Sequence, residues 1–139
     1  MSMSLFDSSE IIKLPLQDAD IDYHPQFFGL EEANALFDEL YQHTPWIEED
    51  IRVYGKVYKQ PRLTAFYANN QKTYGYSNIS MTPQPFTPLL NAIKTKVEEA
   101  TQTQFSSCLL NLYRDGQDSN GWHADDEKEL GLNPVIASV

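Results

Sequence analysis

The sequence predicts an α+β domain, and three features of its residue pattern carry that expectation. Two stretches place apolar side chains at helical spacing, a later stretch alternates every second residue, and a run rich in valine and tyrosine between the helices is broken by one glycine. From 30 to 41, the residues Leu30, Ala33, Leu36, Phe37, Leu40 and Tyr41 recur on one side while Glu31, Glu32, Asp38 and Glu39 fill the other. That is an amphipathic helix. Thr44-Pro45 ends it, because the residue before a proline is pushed out of the helical region.

The second helix opens on Thr87, whose hydroxyl suits an N-cap, and Pro88, whose fixed φ and missing N–H suit the first helical position. Leu89, Leu90, Ile93 and Val97 follow on one side, and Lys94, Lys96 and Glu98 lie on the other. Between the helices, 51 to 68 reads as a hairpin or paired strands with Gly55 at the turn. After Gln104, Phe105, Ser107, Leu109, Asn111 and Tyr113 share one strand face, with Cys108, Leu110 and Leu112 on the other. Asp115-Gly116 and Asn120-Gly121 read as turns, and 134 to 139 as the start of another apolar strand. Residues 1 to 27 lack periodicity and form an extended lead-in to a folded domain over 28 to 139.

With 139 residues and 41% hydrophobic content, the chain fits one domain with a true core and not a disordered or fibrous segment. Cys108 is the only cysteine, which excludes an intramolecular disulfide framework and a zinc-finger spacing and suits a small buried hydrophobe. No window has the length and apolarity of a bilayer span, and the first residues do not resemble a secretory leader. The expectation is an intracellular protein without a membrane partner, cytoplasmic in a bacterium or nuclear in a eukaryote.

The net charge of −10 is segregated along the chain. Residues 1 to 51 hold twelve acids and one base, 52 to 96 hold seven bases and no acid, and 97 to 139 hold eight acids and two bases. The basic middle stretch interleaves Arg52, Lys56, Lys59, Arg62, Lys72, Lys94 and Lys96 with Tyr54, Tyr58, Phe66, Tyr67, Tyr74 and Tyr76. Phosphate contact plus base stacking uses that composition. A solvated basic face paired with the acidic blocks is the plainer alternative.

The densest chemical signal is Asn111-Leu112-Tyr113-Arg114-Asp115-Gly116 followed by Gly121-Trp122-His123-Ala124-Asp125-Asp126-Glu127. In extended chain His123 and Asp125 project to one side, so an imidazole nitrogen and a carboxylate oxygen could take adjacent positions on one metal. Two His and one carboxylate leave three positions of an Fe(II) ion open for a bidentate co-substrate and dioxygen, and H-x-D supplies two of those ligands. Asn111 and Tyr113 share a strand face, where an amide and a phenol suit a dicarboxylate. His24 and His43 fall in the lead-in and at a helix end and are not ligand candidates.

Together, residues 111 to 127 and Pro134-Val135-Ile136-Ala137-Ser138-Val139 resemble the AlkB family of iron(II) and 2-oxoglutarate-dependent nucleic-acid dealkylases, especially its double-stranded-DNA repair branch. Val53-Tyr54-Gly55-Lys56 resembles that branch's hairpin finger, Pro61-Arg62 its following strand and Tyr74-Gly75-Tyr76-Ser77 its nucleotide-recognition segment, so the likeness covers 28 to 139.

The resemblance implies N-terminal helices packed on part of a double-stranded β-helix, a jelly-roll barrel incomplete at the C-terminus. It implies Fe(II) on His123 and Asp125, and 2-oxoglutarate on Asn111 and Tyr113. Tyr54 would wedge into the duplex, Tyr74 would stack on the extruded base, and Arg62, Tyr76, Ser77, Asp126 and Glu127 would complete the substrate contacts. The wedge has its own physical reason, since an alkylated ring nitrogen is hidden until the base leaves the stack. The implied reaction is oxidative demethylation of 1-methyladenine and 3-methylcytosine in alkylated, double-stranded DNA, with RNA as a further partner.

The family's second histidine and two co-substrate-binding arginines have no counterpart among these residues. The expectation is therefore a C-terminally truncated chain that is inactive by itself. Two alternatives stay open: a non-catalytic nucleic-acid-binding fragment, and a 2-oxoglutarate oxygenase acting on RNA or protein.

Overall fold

The computed structural model describes residues 10 to 70, 74 to 76 and 79 to 139, with backbone alone for 74 to 76 and 79 to 81. The chain divides after the first helix into Met1–Thr44 and Pro45–Val139.

In the first unit, β1 (Ile12–Lys13) and β2 (Asp22–Tyr23) pair antiparallel, with Ile12 opposite Tyr23. The lead-in therefore has local order that a two-residue strand is too short to announce through periodicity. Lys13 reaches across to Asp20 and Asp22, and the Asp20 carboxylate raises its pKa. Helix α1 (Leu30–His43) ends as expected, with the Thr44 N–H bonding to the Leu40 carbonyl at 3.2 Å. Glu31 and Glu32 occupy its first turn and His43 its last, where each sign of charge suits the helix dipole.

In the second unit, β3 (Asp50–Val53) and β4 (Lys56–Lys59) form the expected hairpin with Val53 opposite Lys56. Its two-residue turn has φ of +49° at Tyr54 and +77° at Gly55. Positive φ at both central positions matches the right-handed twist of the strands, and Gly55 adopts it without the steric cost that Tyr54 bears.

Strand β5 (Leu63–Ala68) is followed by β6 (Tyr74–Tyr76) and β7 (Ile79–Met81), which pair with each other, then α2 (Pro88–Thr101) and β8 (Ser107–Leu112). β5 and β8 run antiparallel in the register Leu63 to Leu112, Thr64 to Asn111 and Phe66 to Leu109. The other edge of β5 is bridged by Ile47 opposite Thr64 and by Gln84 beside Tyr67. Flanked on both edges, β5 is the most buried element, with Thr64, Ala65, Phe66, Tyr67 and Ala68 all inside. Phe66 and Ala68 form the core with Ile51 and Leu109 packed against them.

Helix α2 starts as the sequence dictates: the Leu90 N–H donates to Thr87 Oγ1 at 3.2 Å, and Pro88 follows the cap. Leu90 and Val97, seven residues apart, are buried. Cys108 is held as the inert thiol, because burial pushes its pKa up to about 11.

The described residues form four separate two-stranded sheets and two long helices, which is an α+β arrangement. Two local expectations are corrected. Residues 134 to 139 form no strand; Val135 and Ile136 lie exposed, and no described segment offers the ladder partner that a strand requires. Asn120-Gly121 makes no hydrogen-bonded turn, and the chain only bends at Trp122. The Asp115 turn does form, closed by the Asp118 N–H on the Asp115 carbonyl at 3.3 Å. No described helix is long and apolar enough to cross a membrane.

Candidate metal and co-substrate site

Strand β8 delivers Asn111 near its end and Tyr113 just past it, and a braced loop leads from there to His123. Arg114 builds the brace. Its Nε and one terminal nitrogen reach the two Asp118 carboxylate oxygens at 2.8 and 3.0 Å, while its backbone N–H donates to Asp118 Oδ2 at 2.8 Å. The same guanidinium reaches Glu48 at 3.3 Å, and the Gln117 N–H donates to Asp115 Oδ1 at 2.8 Å. A planar fork on a carboxylate fixes direction as well as distance. This brace was overlooked at the sequence level, although Arg114 and Asp118 stand four apart next to an Asp-Gly turn signal.

The Arg114 guanidinium holds the Asp118 carboxyl below its ordinary value of 3.8. A depressed carboxylate contributes stability that is complete above its unfolded pKa and is lost as the pH falls through the folded one. Acidification below the ordinary value of 3.8 should loosen the 114 to 118 loop ahead of β5 and β8. Hydrogen exchange of the Arg114 amide reads this directly, and Asp118→Asn should make that amide fast-exchanging already at neutral pH.

Four residues beyond Ser119, the imidazole of His123 and the carboxylate of Asp125 come together as H-x-D predicts, with Nε2 3.4 Å from Oδ1. His123 Nδ1 lies 2.8 Å from the Gly121 carbonyl oxygen. A carbonyl only accepts, so Nδ1 carries a proton; in the neutral form of the ring the lone pair therefore falls to Nε2, the nitrogen on the Asp125 side. Metal-binding histidines are commonly oriented this way through the other ring nitrogen.

A separation of 3.4 Å is longer than a good N–H···O bond. It is close to the ~3 Å between two ligand atoms that each sit roughly 2.1 Å from one ion at right angles. Both side chains are about two-fifths exposed, at 41% and 39%. The donor set, one neutral imidazole and one carboxylate, fits a ferrous ion. Among the described residues no third His, Cys, Asp or Glu joins them.

Asn111 Oδ1 accepts from Arg62 Nε at 2.9 Å. The guanidinium offers no acceptor, so the amide oxygen must face it and the Nδ2 donors turn elsewhere. Tyr113 is half exposed. Arg62, expected among the substrate contacts, is only 4% exposed and also donates to the Ser119 carbonyl at 3.4 Å. Tyr54 stands fully exposed at the hairpin tip. Asp126 is exposed, while Glu127 is half-buried and its Oε2 is buried without a hydrogen-bond partner. Tyr74 and Tyr76 belong to β6 by their backbone, and Ser77 lies outside the described residues. Trp122, which the sequence reading did not single out, is fully exposed beside His123.

The basic stretch is not uniformly available to a polyanion. Lys59 pairs with Asp50 across the hairpin at 2.7 Å, Lys94 pairs with Glu98 at 3.6 Å, and Arg62 is buried. Arg52 and Lys56 stand exposed on either side of the Tyr54 turn.

Residues 20 to 139 match the family model described as the 2OG-Fe(II) oxygenase superfamily. The chain is 41% identical over 136 residues to alpha-ketoglutarate-dependent dioxygenase alkB homolog 3 of Homo sapiens, an alignment covering 94% of this chain and 45% of that protein. It is 38% identical over 115 residues to DNA oxidative demethylase ALKBH2 of Mus musculus, covering 81% of this chain and 48% of that protein. It is 36% identical over 125 residues to DNA oxidative demethylase ALKBH2 of Arabidopsis thaliana, covering 87% and 40%. The chain belongs to the 2OG-Fe(II) oxygenase superfamily and, within it, to the AlkB family. It spans under half the length of these curated relatives.

Proposed function

We propose that this chain is part of an iron(II), 2-oxoglutarate-dependent dioxygenase that demethylates N-alkylated DNA bases, with 1-methyladenine and 3-methylcytosine as substrates. The observation that carries the reading is the His123–Asp125 pair, spaced for one ion, with Nδ1 on the Gly121 carbonyl and Nε2 on the side of Asp125. The family membership supplies iron as that ion, and the DNA demethylases among the relatives support DNA as the substrate.

His123 and Asp125 would hold the iron, and Asn111 and Tyr113 would hold 2-oxoglutarate through the amide N–H and the phenol. When bound, iron with 2-oxoglutarate and dioxygen supplies the oxidising power that turns an N-methyl group into N-hydroxymethyl. That product expels formaldehyde and restores the base, while the co-substrate leaves as succinate and CO2. The protein's own share is orientation and exclusion of bulk water around the methyl carbon. In the complete fold these strands would belong to a jelly-roll barrel, with Phe66, Ala68 and Leu109 on its packed inner face.

Tyr54 would fill the gap that the extruded base leaves, with Arg52 and Lys56 on flanking phosphates. The support for this is a large aromatic ring, fully solvated, on a backbone with φ of +49°. That conformation costs a bulky residue on the order of 1 kcal/mol and a bare surface tyrosine gains nothing from it. Tyr74, Tyr76 and Ser77 would line the base pocket with Asp126 and Glu127, where the unpartnered Glu127 oxygen offers an acceptor for an exocyclic amine. A nuclear or cytoplasmic location would follow from this substrate.

Among the described residues two ligands of a three-ligand triad come together, so the 139 residues by themselves should turn over little. The test is formaldehyde release from a methylated oligonucleotide. Release is expected from the longest polypeptide that carries these residues and is dependent on 2-oxoglutarate; equal release by the 139 residues alone would refute the need for a further ligand.

A further inference from the structure

We propose that Arg62 is a positioning residue that aims the Asn111 amide at 2-oxoglutarate and ties that amide to the loop leading to the metal ligands. The inference rests on the co-substrate role given above to Asn111.

A guanidinium is rarely buried without a reason, because removing its charge from water is costly unless hydrogen bonds replace the lost solvation. Arg62 is 4% exposed. Its partners are the Asn111 side-chain oxygen at 2.9 Å and the Ser119 carbonyl at 3.4 Å, both neutral groups. The Ser119 N–H in turn donates to the Pro61 carbonyl at 2.8 Å, so the loop is held to the Pro61-Arg62 step from both sides. Arg62 immediately precedes β5, and Thr64 within β5 lies opposite Asn111 in the register. One side chain thus bonds the strand that carries the co-substrate amide and the loop that ends in His123.

An asparagine amide has two orientations with opposite hydrogen-bonding character. Only the orientation with Oδ1 toward Arg62 leaves Nδ2 to donate to a carboxylate or keto oxygen. Without the guanidinium the flipped orientation becomes available, and it would present an oxygen to an anion.

The experiment is a double-mutant cycle on 2-oxoglutarate affinity, measured by calorimetry in the longest polypeptide carrying these residues, with Fe(II) under argon. Arg62→Met keeps the apolar stem and removes the donors; Asn111→Ala removes the amide. Each single variant should bind 2-oxoglutarate roughly tenfold to a hundredfold more weakly, the range found for partners that orient a ligand. The double variant should be no weaker than the weaker single one. Multiplying losses, or an Arg62→Met affinity equal to the unmutated protein's, would overturn the positioning role.

If Asn111→Ala leaves the affinity unchanged, the assignment of the co-substrate site itself fails, a result distinct from the two above. Where Arg62→Met does not fold, Arg62→Lys carries the same cycle, since it keeps the cation but not the fork. An independent readout needs no variant. The Arg62 Nε–H resonance should be protected from solvent exchange and should shift on adding 2-oxoglutarate, and an unshifted resonance in a protein that binds the co-substrate contradicts the proposal.

Discussion

Replacing either His123 or Asp125 with alanine should abolish formaldehyde release and weaken Fe(II) binding at least a hundredfold. Loss of a partner that merely orients a metal ligand already costs tenfold to a hundredfold, and these two groups would contact the ion itself. The pair is asymmetric in a way that sharpens the expectation. Asp125→Asn keeps the size and one oxygen but removes the negative charge, and should behave nearly as badly as alanine, because a two-histidine, one-carboxylate Fe(II) site takes its protein negative charge from that carboxylate. His123→Gln should fail equally. By contrast, Asp126→Asn leaves the pair intact, so iron binding should persist and any loss should appear in turnover of the alkylated base. Thermal unfolding of each variant separates these effects from collapse of the loop, since His123 and Asp125 are surface residues whose removal opens no cavity.

Tyr54→Asn should produce two changes of opposite direction. Asparagine tolerates positive φ far better than tyrosine, so the hairpin should gain stability by a few tenths of a kcal/mol to about 1 kcal/mol. Repair of duplex substrate should fall tenfold or more, because stacking of one aromatic ring on a base contributes roughly 1 to 3 kcal/mol. On single-stranded substrate no gap opens and the same variant should act nearly as the parent does. A thermal scan of the protein alongside paired duplex and single-strand assays checks all three. Equal losses on both substrates would remove the wedge and leave Tyr54 as an ordinary strained surface residue.

The parts of this molecule that could be read from the sequence are those governed by local rules. Thr87-Pro88 starts α2 because a hydroxyl cap and a missing N–H are decided within four residues, and Thr44-Pro45 stops α1 for an equally local reason. The alternation from Ser107 to Leu112 put Asn111 on the same face as Leu109 before any partner strand was known. H-x-D put two donors two positions apart, and the structure places them 3.4 Å from each other.

What the sequence hid was decided by distant partners. Arg62 looks like one more base in a run of seven, and only its pairing with Asn111, 49 positions later, turns it inward. Arg114 and Asp118 stand close in sequence, yet the pair gains its meaning from Glu48, 66 positions before Arg114. The apolar stretch after Pro134 has strand composition but no described ladder partner, and strand formation depends on that partner more than on propensity. The β1–β2 ribbon failed to register for the opposite reason: two residues on each side are too few to show a period.

The most direct measurement is an anaerobic spectroscopic titration of the polypeptide carrying these residues with Fe(II) and then 2-oxoglutarate. Chelation of a ferrous ion by the keto-acid gives a visible charge-transfer band, which should appear at one equivalent of iron and vanish in His123→Ala and in Asn111→Ala at the same ligand concentrations. A band of undiminished intensity in both variants would mean that the imidazole and the amide do not hold the ion and its co-substrate, and that the chemistry has been assigned to the wrong place.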